Sequence, residues 1–102
     1  MGTIHRVAST SDLASGESRC VRIGDEVIAL FNCDGTYYAT DDTCTHEEAS
    51  LSDGWLDGTE ISCPLHGAVF DVTTGAVLCL PATQPLRTYP VRVEGDDIFV
   101  EA

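Results

Sequence analysis

Two short boxes of cysteine and histidine contain the residues of this sequence most suited to chemistry. Cys44 and His46 flank a single threonine, and Cys63 and His66 follow after residues 47–62. Thiolates and imidazoles bind zinc and iron in proteins. A mononuclear zinc site usually places two or more residues between paired ligands, so the one-residue gap in the first box is awkward for one ion. The spacing favours a dinuclear cluster, and a zinc site stays the alternative.

The chain around these boxes has the pattern of short strands separated by turns. Runs rich in branched and aromatic residues alternate with turns rich in Gly, Asp and Asn. They predict strands at 4–8, 20–23, 27–31, 37–40, 59–62, 68–72, 76–80, 86–94 and 98–101, with hairpins joining 27–31 to 37–40 and 92–95 to 98–100. One helical turn is expected at 11–14, capped by Ser11 or Asp12. The pattern predicts an all-β sandwich or barrel.

Length and charge describe a single acidic domain. The 102 residues suffice for one compact domain, 1–102. Seventeen Asp and Glu oppose five Arg without any Lys, so the formal net charge is −12. Nucleic acid and anionic membrane surfaces are excluded as partners, because both would be repelled. The charge suits transient docking on basic patches of other proteins, although excess acid also simply keeps a surface soluble.

The N-terminal residues and the cysteine content of the chain predict a reducing compartment. Residues 1–6 lack the start of a signal peptide, and no apolar stretch is long enough to span a membrane. We therefore expect a cytoplasmic location, where cysteines serve metal or redox chemistry before disulfides. Outside the boxes, Cys20, Cys33 and Cys79 are expected to be small buried side chains. Trp55 is expected to pack beneath the loop that follows the first box.

The two boxes, Cys44-Thr45-His46 and Cys63-Pro64-Leu65-His66-Gly67, resemble those of the Rieske family. The likeness extends through residues 68–75 and the proline-bearing loop 81–85. It implies one Rieske [2Fe–2S] cluster, in which Cys44 and Cys63 bind one iron and His46 and His66 bind the other. It also implies the Rieske iron–sulfur fold, with an antiparallel sandwich-like base and a cluster-binding subdomain spanning about 41–85.

In its length and its negative net charge the chain most resembles the small Rieske ferredoxins of bacterial aromatic-ring dioxygenase systems. That resemblance implies an electron carrier that is not an enzyme by itself. Its partners would be a flavin-dependent NADH ferredoxin reductase and a terminal oxygenase, and a monomer is expected. Two alternatives stay open: the small Rieske-like subunit of an assimilatory nitrite reductase, and a zinc-binding module without a redox function.

Departures from other Rieske proteins concern the surroundings of the cluster. Those of the cytochrome bc type carry a disulfide between the boxes, and the matching positions here are Ala49 and Leu65. They also carry a serine and a tyrosine that donate hydrogen bonds to sulfur, where this chain has Ala68 and Phe70. Such bonds stabilise the reduced cluster, so their absence predicts a reduction potential near the low end of the Rieske range, roughly −150 mV.

Overall fold

The computed structural model describes residues 2–43, 49–64, 67–79 and 84–102. Within them the regular structure consists of short strands and of 3₁₀ turns at Thr10–Asp12 and Leu51–Asp53. The strands are β1 Ile4–Ser9, β2 Ser18–Ile23, β3 Glu26–Cys33, β4 Thr36–Asp41, β5 Trp55–Asp57, β6 Glu60–Ser62, β7 Val69–Asp71, β8 Val77–Cys79, β9 Thr88–Tyr89, β10 Val91–Glu94 and β11 Asp97–Glu101. The all-β prediction is confirmed. Among the described residues no helix has the length and apolar character needed to cross a membrane.

Three antiparallel sheets make up the described structure. Their strand orders are β1-β11-β10, β2-β3-β4-β9 and β5-β6-β7-β8. The first two sheets enclose a base core that contains Ile28, Leu30, Ile98 and Val100. The third sheet covers a second core, named here the site core, which contains Phe31, Ala49, Leu51, Ile61, Cys63, Ala68 and Phe70.

Strand β3 separates the two cores. Side chains alternate between the faces of a strand, and in β3 Ile28 and Leu30 enter the base core while Ala29 and Phe31 enter the site core. All residues from 28 to 33 are therefore buried. This double burial explains why the sequence here is a continuous apolar run rather than an alternation of apolar and polar residues.

Both expected hairpins are present, and one has a turn that fits its sequence closely. Strand β3 pairs with β4 from Ile28 opposite Asp41 to Cys33 opposite Thr36. The two linking residues, Asp34 and Gly35, have φ of 59° and 94°. Two successive positive φ angles are typical of the type I′ turn, for which Asp-Gly is a favoured pair. Strands β10 and β11 form the other hairpin.

The single strand expected at 86–94 is wrong, because Pro90 divides it. Strand β9 pairs with β4 in the second sheet, whereas β10 pairs with β11 in the first. Proline has no backbone N–H to donate to a ladder and its φ is fixed, so the chain changes sheet at this residue. Tyr89 and Val91 on either side pack on the base core.

Two smaller features also differ from expectation. The 3₁₀ turn lies at Thr10–Asp12 rather than at 11–14, and the residue before it, Ser9, is the N-cap. The Ser9 backbone N–H donates to the Asp12 carboxylate at 2.9 Å, so neither Ser11 nor Asp12 is the cap. Strand β5 was not expected, since none of its three residues is branched at Cβ and one of them is an aspartate.

Candidate metal centre

The second box leaves the third sheet at Cys63, directly after β6. Cys63 is only 1% exposed, and it is part of the site core. Its backbone N–H donates to the carbonyl oxygen of Ala68 at 2.7 Å. Gly67 has a φ of 73°, in the left-handed region that favours glycine. The described ends of the box are thus tied together between β6 and β7. The other expected ligands, Cys44, His46 and His66, lie outside the described residues, as does Leu65.

Asp42 joins the two described ends of the chain around the first box. Its side chain is 4% exposed and accepts a hydrogen bond from the Ser50 hydroxyl at 2.5 Å and one from the Ser52 N–H at 2.9 Å. Its backbone carbonyl accepts from the Leu51 N–H at 2.7 Å. Thr43 forms an antiparallel bridge with Ser50. Residues 42–43 and 50–52 are therefore held against each other on either side of the first box. We call these two segments the neck.

The neck is also attached to the base of the fold. The Asp42 N–H donates to the Val27 carbonyl at 3.0 Å, and the preceding Asp41 N–H donates to the Arg87 carbonyl at 2.9 Å. The hydroxyl of Tyr89 donates to the Asp41 carboxylate at 2.5 Å. Burial, this hydrogen bond and the charge of Asp41 all raise the pKa of the Tyr89 phenol. The phenol is therefore a stable donor at neutral pH.

The site core brings the ends of both boxes together. Ala49, which follows the undescribed residues of the first box, lies in it with Cys63 and Ala68 from the second. Gly54 lies so close to β6 that a Cβ at this position would be 2.0 Å from the Ser62 carbonyl oxygen. The segment after the first box thus packs directly on the strand that leads into the second.

The described surroundings fit a cluster that is bound through the thiolate of Cys63. Cys63 lies in a buried, apolar setting, where a bound metal would compensate the charge of a thiolate. Ala68 and Phe70, both fully buried beside it in the site core, supply no hydroxyl that could donate to sulfur. Ala49 is also buried, so the position that would carry a bridging cysteine is occupied by a methyl group.

Expectations for the remaining cysteines and for the tryptophan are only partly met. Cys33 is buried, as predicted, and burial raises its pKa. Cys20 and Cys79, by contrast, are exposed. Partial burial, followed by the neighbouring Asp42 carboxylate, raises the pKa of the Cys20 thiol. Trp55 does not pack beneath a loop but is 67% exposed.

Sequence reasoning missed Asp42 and Ser50, the residues that fix the neck. In the sequence each has the character of an ordinary polar loop residue. A signal was nevertheless present, since Asp42 lies two positions before the first box and Ser50 and Ser52 follow it closely. Short hydroxyl side chains beside a carboxylate are suited to closing a loop through local hydrogen bonds.

Comparison with known proteins agrees with this site. A family described as Rieske [2Fe-2S] domain matches residues 3–90. The chain is 53% identical over 93 residues to the 3-phenylpropionate/cinnamic acid dioxygenase ferredoxin subunit of Escherichia coli K12, covering 89% of this chain and 86% of that protein.

Two solved structures are similar over nearly the whole chain. The Sphingomonas yanoikuyae B1 ferredoxin has a TM-score of 0.92 at 37% identity, covering 98% of this chain and 99% of that one. The complex of reduced oxygenase and oxidised ferredoxin in carbazole 1,9a-dioxygenase contains a chain with a TM-score of 0.91 at 41% identity, covering 96% of this chain and 92% of that one. This protein therefore belongs to the Rieske [2Fe–2S] family, carries a cluster of that type, and is an electron carrier rather than an oxygenase.

Proposed function

We propose that this chain is the ferredoxin component of a bacterial aromatic-ring dioxygenase system. It receives electrons from a flavin-dependent NADH ferredoxin reductase and delivers them to the terminal oxygenase. The observation that carries the proposal is the single site core that holds the described ends of both ligand boxes. The near full-length likeness to dioxygenase ferredoxins supports the choice of partners. A cytoplasmic location and a monomeric state complete the proposal.

The four ligands belong to this proposal. Cys44 and Cys63 would bind one iron, and His46 and His66 the other. When bound, the cluster supplies reversible one-electron chemistry. The chain itself supplies the apolar setting of Cys63 and the neck at Asp42, which orients the segment that carries the first box. The subdomain of about 41–85 remains part of the same proposal.

A matched pair of cysteine variants tests the ligand assignment. Cys63 and Cys33 are both buried in the site core, but only Cys63 is an expected ligand. Cys63→Ser should abolish binding of iron and acid-labile sulfide, whereas Cys33→Ser should retain both. After reduction with dithionite, the wild-type protein should give a rhombic EPR signal with a low average g value. Stoichiometric zinc without sulfide in the wild type would instead establish the zinc module.

The choice of partners is tested separately. Purified reductase and NADH should reduce the protein, and the reduced protein should then be reoxidised by a terminal oxygenase. Stable co-purification with a large sirohaem-containing chain, together with no electron transfer to an oxygenase, would favour the nitrite reductase subunit instead.

A further inference from the structure

The third sheet has one buried face and one face open to solvent. Leu56, Ile61, Phe70 and Val77 lie opposite one another across its four strands, and all contribute to the site core or pack against it. The adjacent cross-strand row consists of Trp55, Ser62, Val69 and Cys79. Because neighbouring residues of a strand face opposite sides, Trp55, Ser62 and Val69 belong to the outward face. Cys79 lies at a register shift between β7 and β8, and it is also exposed. We call that face the outer face of β5–β8.

The most exposed large apolar side chain of the described residues, Trp55, lies on this sheet. Four are exposed in the described part of the chain, namely Ile4, Trp55, Leu78 and Val93. Two of them, Trp55 at 67% and Leu78 at 51%, belong to the edge strands β5 and β8. Trp is among the residues most enriched in the energetic centres of protein interfaces. Its exposure therefore indicates a surface that is covered in a complex.

Carboxylates occupy the next row of the outer face. Asp57 lies opposite Glu60, and Glu60 lies opposite Asp71. Like charges directly opposite each other destabilise a sheet. Among the described residues, no Arg or His nitrogen lies within ion-pairing distance of these three side chains. A partner that brings basic groups to this row would relieve the repulsion, so the charge selects a partner with Lys or Arg.

The row that contains Trp55 and Ser62 lies at the end of the sheet where the second ligand box begins. Trp55 pairs with Ser62, which directly precedes Cys63, and Val69 directly follows Ala68. Neighbouring strands are about 5 Å apart, so the backbone of Trp55 lies within one strand spacing of the chain that enters the box. A partner seated on this row is therefore held beside the ligand that the structure describes, Cys63.

We propose that the outer face of β5–β8 is a docking surface for the terminal oxygenase, an inference that rests on the proposed function. The oxygenase would receive the Trp55 indole in an apolar hollow and place Lys or Arg side chains against Asp57 and Glu60. Trp55 supplies most of the affinity, because it is desolvated at the centre of the contact. The carboxylates supply orientation and speed of association, because rim charges act mainly on encounter.

The test uses the cluster-loaded protein and the oxygenase component of the E. coli 3-phenylpropionate/cinnamic acid dioxygenase as the probe. Trp55→Ala should raise the dissociation constant about thirtyfold, the effect of truncating an interface hot spot. Ile4→Ala is the matched control, since Ile4 is also half exposed but lies on β1 in another sheet, and it should bind as the wild type does. The EPR spectrum and midpoint potential of both variants should equal those of the wild type.

A second pair of variants tests the charges. Glu60→Gln should slow association and flatten its dependence on salt, whereas Glu101→Gln, an exposed change on β11, should do neither. If the wild type binds the oxygenase and Trp55→Ala binds equally well, the docking surface is wrong and the proposed function stands. If Trp55→Ala slows only reduction by the reductase, the partner is wrong. If the wild type does not bind the oxygenase, both proposals fall together.

Discussion

Replacing Asp42 should weaken both the fold and the retention of the cluster. Its buried carboxylate accepts hydrogen bonds from the Ser50 hydroxyl and the Ser52 N–H. Hydrogen bonds to charged groups contribute about 1.5–3 kcal/mol each. Asp42→Ala removes both, but Ser50 can still bond the Ser52 hydroxyl, which lies 2.8 Å away. We therefore expect a loss of roughly 3 kcal/mol in the free energy of unfolding, near the lower bound for two such bonds.

This loss is large for a domain of this size. One kcal/mol corresponds to about 4–8 °C in the midpoint of thermal unfolding, so Asp42→Ala should lower that midpoint by roughly 12–24 °C. Asp42→Asn keeps the shape and one acceptor, and it should cost about 1 kcal/mol. Asp57→Ala is the control, because Asp57 is exposed, and it should change stability by less than about 0.5 kcal/mol.

Two measurements check the prediction. Calorimetry or circular dichroism gives the unfolding midpoint, and the decay of the visible absorbance in the presence of an iron chelator gives the rate of cluster loss. Asp42→Ala should lose its cluster faster than Asp57→Ala at a temperature at which both are folded. Equal unfolding midpoints and equal rates of loss for these two variants would show that the neck does not stabilise the site.

Three further predictions follow from the same structure. The first concerns the dependence of stability on pH. Because the pKa of Tyr89 in the folded protein is raised above the unfolded value of about 10, the wild type should lose stability as the pH rises past about 10. Denaturant titrations at several pH values should show that Tyr89→Phe lacks this loss. Ala68→Ser should raise the midpoint potential by about 40 mV if its hydroxyl gains one hydrogen bond of about 1 kcal/mol to sulfur, and voltammetry would contradict the reasoning by showing no rise. Gly54→Ala should lower the unfolding midpoint by roughly 10 °C, since its methyl group would clash with the Ser62 carbonyl, and an unchanged midpoint would mean that β6 can move aside.

Local patterns in the sequence were enough to predict most strands and the β3–β4 hairpin. The apolar run 27–31, the Asp34-Gly35 turn and the strand 37–40 specify that hairpin without help from the rest of the chain. The ligand boxes are equally local, and the family assignment that they suggested is confirmed. The ligands themselves stay a prediction, since only Cys63 lies among the described residues.

The errors concern features that depend on which sheets stack against each other. Cys20, Trp55 and Cys79 lie in short strands, and apolar residues in strands are usually buried on at least one face. Val21 and Leu56, the neighbours of Cys20 and Trp55, pack on the cores, so exposure depends on which face of a strand is covered, and sequence alone does not reveal that face. The division of strand 86–94 was detectable, because a proline inside a strand pattern argues against a continuous central strand.

Side chains contribute to the anchoring of one box more than to that of the other, which bears on the absence of a disulfide between them. The second is tied by a backbone bond from Cys63 to Ala68 within the β6–β7 hairpin, so most substitutions there leave the tie intact. The residues that flank the first are also tied by backbone bonds, but there the Asp42 carboxylate adds side-chain bonds from Ser50 and Ser52. A disulfide would constrain both boxes at once, whereas here the first can be loosened alone. Changes at Asp42 should therefore free the first box while the β6–β7 hairpin remains folded, and hydrogen exchange should locate the loss of protection at 42–52 rather than at 60–71.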